Sequence, residues 1–370
     1  MVLMVHLVLY GVVPNHPRLM VYLRSLMWSG WSGVDLFFVL SGFLITGILL
    51  DSRSSTNYFK SFYMRRVLRI FPLYYFAVIT TAIATPLLFT THPFLRDFYP
   101  SKLGWLSYFF YYHNWWIPLK EHQARILGPL WSLGVEEQFY LLWPACVWLT
   151  PSRYLKWVCL SGISVALVAR YAWAAPSGTA EIILTSTLTR LDTLLAGGFM
   201  AIAMRDKGPL SKVKKYSLPV FTVATVGIGL IAVVGHEAWS RGHYTQTIGF
   251  TLYAAAYACI VLWGALQNGT GSLLDRFLNV PVLRMFGKYS YGVYVYHGPI
   301  LLYWRTRFIK QAWYGESLGI SLLVCGFLIS ASLAVAMVSY KILENPFLRL
   351  KDRFEVRQAS AKPGGQAAGL

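Results

Sequence analysis

Charge is what this sequence has least of. Only 13% of its 370 residues are Asp, Glu, Lys or Arg, against 56% that are apolar. A soluble globular domain carries about 25% charged residues, so a single water-soluble core is excluded for want of polar surface to cover it. Acidic residues are the scarcer sign, 15 against 33 Lys and Arg, leaving a net charge of +18. Cysteine is also sparse. Cys146, Cys159, Cys259 and Cys325 lie in apolar stretches with neither metal-type spacing nor a loop position, and read as packing residues. No metal is expected. No cleavable signal peptide is evident, no internal repeat is defensible, and no extra soluble domain is expected at either end.

What is abundant is apolar sequence in long runs, at 1–13, 33–50, 70–91, 130–150, 154–175, 182–204, 217–235, 247–266, 289–304 and 317–343. A span needs about 20 residues. The expected fold is therefore all-α, a polytopic transmembrane bundle of about ten spans with a truncated first helix. The run that opens at Met1 is too short to cross, and an upstream stretch is expected. Residues 1–346 form the membrane domain and 347–370 a cytoplasmic, disordered tail. A basic chain can mark a nucleic-acid binder, but here the positive charges sit in short loops between apolar runs, so no nucleic-acid partner is expected. With the 51–69 loop placed in the cytoplasm, alternate loops hold 21 Lys/Arg on that side against 10 on the other, the asymmetry of the positive-inside rule. Start and C-terminus then both face the cytoplasm, in a cell membrane with lipids as immediate neighbours.

Ionisable residues inside apolar runs are costly and are functional candidates by default. His6 is either a histidine bonded to a neighbouring helix or a general base, since imidazole takes up a proton near neutral pH. Asp35 either caps the start of its helix or orients a histidine. Arg65, Arg66 and Arg69 share roughly one helical face. They are a lipid-headgroup anchor or a bidentate phosphate site for a donor such as a coenzyme A thioester. Glu136 and Glu137 point about 100° apart on a helix, so they serve different partners, one structural and one open to proton transfer. Weaker signals are His297 in a tyrosine-rich run, an internal pair between Arg190 and Asp192, Glu344-Asn345-Pro346 as a helix stop, and an interfacial aromatic belt from Trp105 to Trp116.

Taken in order, these blocks resemble the acyltransferase-3 family of membrane O-acyltransferases over about residues 1–346. The matching blocks are His6; Gly33-Val34-Asp35-Leu36-Phe37-Phe38 through Ser41-Gly42-Phe43; Arg65-Arg66 with Arg69-Ile70-Phe71-Pro72; Trp131-Ser132-Leu133 with Glu136-Glu137-Gln138-Phe139-Tyr140; and Ser290-Tyr291 with His297. The resemblance implies transfer of an acyl group, usually acetyl, from cytoplasmic acyl-CoA to a hydroxyl of a sugar, glycolipid or polysaccharide precursor. By position it makes His6 the catalytic base, Asp35 and Glu136 catalytic partners, and Arg65, Arg66 and Arg69 the acyl-CoA (acetyl-CoA) contacts. Trp131, Ser132, Glu137, Tyr291 and His297 support them. The family's arginine about ten residues before the first-helix histidine would precede Met1. The stand-alone type, without a fused hydrolase-like domain, would act alone or with a separate extracytoplasmic partner. Two other classes fit the residues: a transporter or flippase for a glycolipid or small anion, and a non-catalytic subunit of an export complex. Against the transporter, there is no matched pair of broken helices.

Overall fold

The computed structural model describes residues 1–9, 27, 29–91, 93–120, 127–174, 180–234, 241–308 and 318–356. Every regular element among them is helical. In chain order these are α1 (Val2–Leu9), α2 (Gly33–Asp51), α3 (Tyr58–Leu87), α4 (Lys102–Phe109), α5 (His113–Lys120), α6 (Trp131–Leu149), α7 (Ser152–Trp173) and α8 (Ala180–Thr185). Then come α9 (Thr187–Arg205), α10 (Lys207–Val233), α11 (Phe250–Gln267), α12 (Leu273–Leu278), α13 (Pro281–Phe308), α14 (Leu318–Ser339) and α15 (Asn345–Arg349). Six helical stretches are long and apolar enough to cross a membrane: Ser29–Asp51, Tyr58–Leu87, Ser152–Trp173, Leu210–Val233, Thr245–Gln267 and Gly319–Phe354. Three more helices, α6, α9 and α13, have the length for it. Their polar residues keep them out of that set: Glu136 and Glu137 on α6, Arg190 and Asp192 on α9, and the tyrosines and His297 on α13. Buried charged groups also occur on the apolar stretches, Asp35 on α2 and Arg170 on α7.

Helix α9 is the hub, packed against α2, α7 and α11. Its closest approach is to α2. A Cβ on Gly42 would fall on the Leu194 backbone carbonyl, and one on Gly197 would fall on that of Val39. Only glycine lets two helix backbones come this near. The principal core joins α2, α3, α6 and α9 through Phe38, Ile45, Leu73, Tyr74, Phe139, Trp143 and Leu194. A smaller cluster joins α1 to α13 and α14 through Leu7, Leu301 and Leu328.

The structure corrects several expectations. Helix α3 begins twelve residues before the apolar run at 70, so Arg65, Arg66 and Arg69 sit on regular helix. The run from Trp105 to Trp116 is not simply a belt: Tyr108, Tyr111 and His113 are buried. His113 stacks on Tyr108 at 4.4 Å and Tyr111 on Tyr74 at 4.2 Å, so these rings cap the bundle. Residues at the start of the presumed tail are helical, in α15 and a 3-10 turn over Leu350–Phe354. They are ordered by docking on α3, where Ser61 Oγ donates to the Phe354 carbonyl and Asn57 Nδ2 to that of Glu355. Residues 357–370 of the tail lie outside the described residues, as do most of the 14–32 and 304–316 loops used in the charge count.

Candidate active site

His6 on α1 meets His297 on α13. The ring centroids are 4.8 Å apart, and His6 Nδ1 lies 3.1 Å from His297 Nε2. Each ring also reaches back one turn along its own helix. His6 Nδ1 is 3.0 Å from the Val2 carbonyl and His297 Nδ1 is 3.1 Å from that of Val293. A carbonyl only accepts, so Nδ1 of His297 carries a proton and, in the neutral ring, Nε2 is left as an acceptor. His6 Nδ1–H then donates to it. This puts the lone pair of neutral His6 on Nε2.

The side chain facing His6 Nδ1 is thus His297, and Asp35 is engaged elsewhere. Asp35 is fully buried and forms an ion pair with Arg190 of α9. The expected Arg190–Asp192 pair is absent, because residues two apart on a helix do not face each other. Asp192 pairs instead with Arg170 of α7 at 2.8 Å. That second pair is well satisfied. Arg170 also donates to the carbonyls of Thr247 at 3.0 Å and Thr189 at 2.5 Å, and Thr251 Oγ1 donates to Asp192 at 2.8 Å. The first pair is not. Asp35 Oδ2, Arg190 Nε and Arg190 Nη1 are buried with no hydrogen-bond partner among the described residues. The Arg190 guanidinium lies 4.0 Å over the Phe250 ring. Buried polar atoms are nearly always partnered, which sets this pair apart from the Arg170–Asp192 pair.

A row of polar side chains descends one face of α6 at four-residue intervals: Ser132, Glu136 and Tyr140. Ser132 Oγ is 2.6 Å from Tyr294 Oη, and the Tyr294 ring is 5.6 Å from His297. Tyr140 Oη donates to Glu136 Oε1 at 2.7 Å and also contacts Ser41 Oγ. The Tyr140 ring faces Arg66, whose guanidinium carbon is 5.9 Å from the centroid. The row thus links the histidine pair to the arginines of α3. Along a helix it covers about 12 Å. Trp131 packs edge-on against Phe38 at 6.0 Å, shaping the core behind the row. Tyr291 donates to the Ile70 carbonyl at 2.7 Å, which ties α13 to α3 beside Arg69. Arg66 Nε, Glu137 Oε1 and Glu344 Oε1 are buried without partners. Among the described residues Arg65, Arg66 and Arg69 form no ion pair, and no group of three metal-ligating side chains occurs.

Of the residues named from sequence, His6 and His297 come together, as do Ser132, Glu136, Glu137, Tyr291, Arg66 and Arg69. Asp35 lies apart, on Arg190. Sequence reasoning assigned no role to Ser41, Tyr140, Arg170 or Tyr294. The four-residue spacing of Ser132, Glu136 and Tyr140 was a usable signal for one of them.

With this geometry in hand, sequence comparison decides the family: residues 1–339 match the acyltransferase domain of the acyltransferase-3 family. The chain belongs to that family. It is 26% identical over 349 residues to O-acetyltransferase OatA of Staphylococcus aureus (strain NCTC 8325 / PS 47), covering 89% of this chain and 54% of that protein. It is 29% identical over 304 residues to the peptidoglycan O-acetyltransferase OatA of Listeria monocytogenes serovar 1/2a, covering 76% and 46%. The chain spans about half the length of these curated relatives. No solved structure is similar to it.

Proposed function

We propose that this acyltransferase-3 family member is a membrane O-acyltransferase. It moves an acyl group, taken here as acetyl, from cytoplasmic acyl-CoA to a hydroxyl of a sugar, glycolipid or polysaccharide precursor. The observation that carries the reading is the His6–His297 pair, joined through the α6 polar row to arginines that form no ion pair among the described residues. Support also comes from the names of the relatives, O-acetyltransferases in both genera and a peptidoglycan O-acetyltransferase in one.

In this reading the donor supplies an activated thioester, and its phosphates rest on Arg65, Arg66 and Arg69. These side chains suit phosphate, because planar guanidinium groups bind its oxygens two at a time, and Arg66 Nε is a buried donor in want of an acceptor. The acceptor hydroxyl approaches His6 Nε2. Its oxygen bonds to the acyl carbon, the carbon–sulfur bond breaks, and the hydroxyl proton passes by way of His6 to the departing thiolate. His297 holds the His6 ring in the basic tautomer. Tyr140 and Ser41 hold Glu136 where it offsets the positive charge of the arginines. Asp35 acts through Arg190 to position α2 against α9. Bringing both substrates into one dry cavity supplies much of the rate. The chain sits in the cell membrane with the 51–69 turn and the C-terminal segment in the cytoplasm.

The test is transfer of label from acetyl-CoA to a crude glycan or glycolipid extract by membranes holding the chain. Label should move with the parent protein and not with His6→Ala, with both proteins inserted equally. Transfer by His6→Ala at the parent rate would remove His6 from the chemistry. Loss of both transfer and acetyl-CoA binding in the parent would favour the transporter class, which the buried Asp35–Arg190 pair would also suit as a relay.

A further inference from the structure

The positive cluster on α3 is larger than the motif that announced it. Asn57, Ser61, Arg65 and Arg69 recur every four residues and so lie along one face of the helix. The C-terminal segment docks antiparallel on that face. Glu355 meets Asn57, and Phe354 meets Ser61. The 3-10 turn Leu350–Phe354, α15 and the turn Tyr340–Glu344 all pack on α3. One turn before Phe354 is Lys351, half-buried and within electrostatic reach of Arg65, Arg66 and Arg69. Glu344 follows further along, within reach of Arg69.

Lys351, on the segment docked against α3, therefore lies within electrostatic reach of all three arginines. Lys351 forms no ion pair or hydrogen bond with any described residue, and neither Arg65 nor Arg69 does so. Asp352, next to Lys351 in sequence, is exposed. The carboxylates within electrostatic reach, Glu136, Glu137, Glu344 and Asp352, make no ion pair with these cations among the described residues, so an anion of matching charge would relieve the repulsion that remains among them. Three guanidinium forks and one compact ammonium suit a ligand carrying more than one phosphate. We propose that Lys351, delivered by the docked C-terminal segment, is a fourth phosphate-binding cation of the donor site. This rests on the donor-site reading above and extends it to a residue outside the matched region, which ends at 339. The C-terminal segment is then part of the binding site, and its docking on α3 is coupled to donor binding.

The experiment measures coenzyme A affinity directly, on purified protein in lipid nanodiscs, in a His6→Ala background that prevents turnover. Adding Lys351→Ala should weaken binding about tenfold, the loss of one charge-assisted contact. Lys351→Arg should stay within about threefold of the parent, because it keeps the charge. The weakening should be equal in discs of phosphatidylcholine alone and in discs containing phosphatidylglycerol. Unchanged affinity for Lys351→Ala overturns the proposal. So does weakening confined to the phosphatidylglycerol discs, which would make Lys351 a lipid-headgroup contact. Arg69→Ala separates the two levels. If Arg69→Ala weakens coenzyme A binding and Lys351→Ala does not, only this inference fails. If the parent binds no coenzyme A, the donor-site reading fails with it. Unfolding is excluded as the cause when Lys351→Ala keeps the parent's melting temperature. If it does not keep it, Lys351→Gln replaces it under the same criteria.

Discussion

At the scale of single residues, the site is a set of side chains whose partners come from distant sequence. His6 and His297 are 291 positions apart and 3.1 Å apart in space. The hydrogen bond between them assigns a positioning role to His297, and that role can be measured. His297→Leu removes one of the two acceptors facing His6 Nδ1–H, leaving the Val2 carbonyl, and should lower kcat about a hundredfold, the low end for a misdirected general base, with the donor KM unchanged. His297→Gln keeps an acceptor oxygen and should recover part of the loss. A kcat equal to the parent's in His297→Leu would show that the contact does not set the tautomer. His6 was legible as an ionisable group in an apolar run, and the three arginines by a spacing that puts them on roughly one helical face. The partner of Asp35 was not, since Arg190 is 155 positions away and its nearer sequence neighbour Asp192 invited a pairing that helix geometry forbids.

At the scale of elements, α9 decides the arrangement. Its contact with α2 depends on Gly42 and Gly197, where an added Cβ would strike backbone rather than a side chain able to move. Gly197→Ala should therefore force the two helices apart and cost about 1–3 kcal/mol, as overpacking does. A fall in melting temperature in detergent would report it; an unchanged melting temperature would mean that the crossing is looser than it stands here. The Arg170–Asp192 pair is a second brace, joining α7, α9 and α11. Removing one partner leaves an uncompensated buried charge. Asp192→Ala should cost about 3–5 kcal/mol, more than the glycine change, and should reduce the yield of folded protein in the same assay. Helix existence was readable from hydropathy. The early start of α3 was not, because Lys60, Ser61 and the arginines at 65, 66 and 69 interrupt the apolar pattern before Ile70.

At the scale of the whole molecule, topology sets what each end of the bundle can meet. In the proposed topology, which follows the Lys and Arg asymmetry, the Asp51–Tyr58 turn faces the cytoplasm together with the arginine end of α3 and the C-terminal segment docked on it. In whole cells, a cysteine replacing exposed Ser54 should react with an impermeant maleimide only after permeabilisation, whereas Lys102→Cys should react directly. The partly exposed Cys146 is replaced by serine in both variants. The reverse pattern would invert the molecule and place the cationic cluster out of reach of cytoplasmic acyl-CoA. The relatives' greater length does not bear on this assignment, since the match runs through the membrane domain.

Composition by itself determined that the protein belongs in a bilayer and is helical, because apolar runs of span length leave no other way to satisfy the backbone. Ordered motifs determined the family, because charged groups stranded in such runs are too costly to be incidental. Tertiary structure alone decided which charges pair: Asp35 with Arg190, Arg170 with Asp192, and none with Arg65 or Arg69. It also decided that His297 meets His6 and that the segment carrying Lys351 docks on the helix of the arginines. Pairing depends on which helix faces are brought together, and a local sequence pattern fixes a residue's place on its own helix but not the helix it will face.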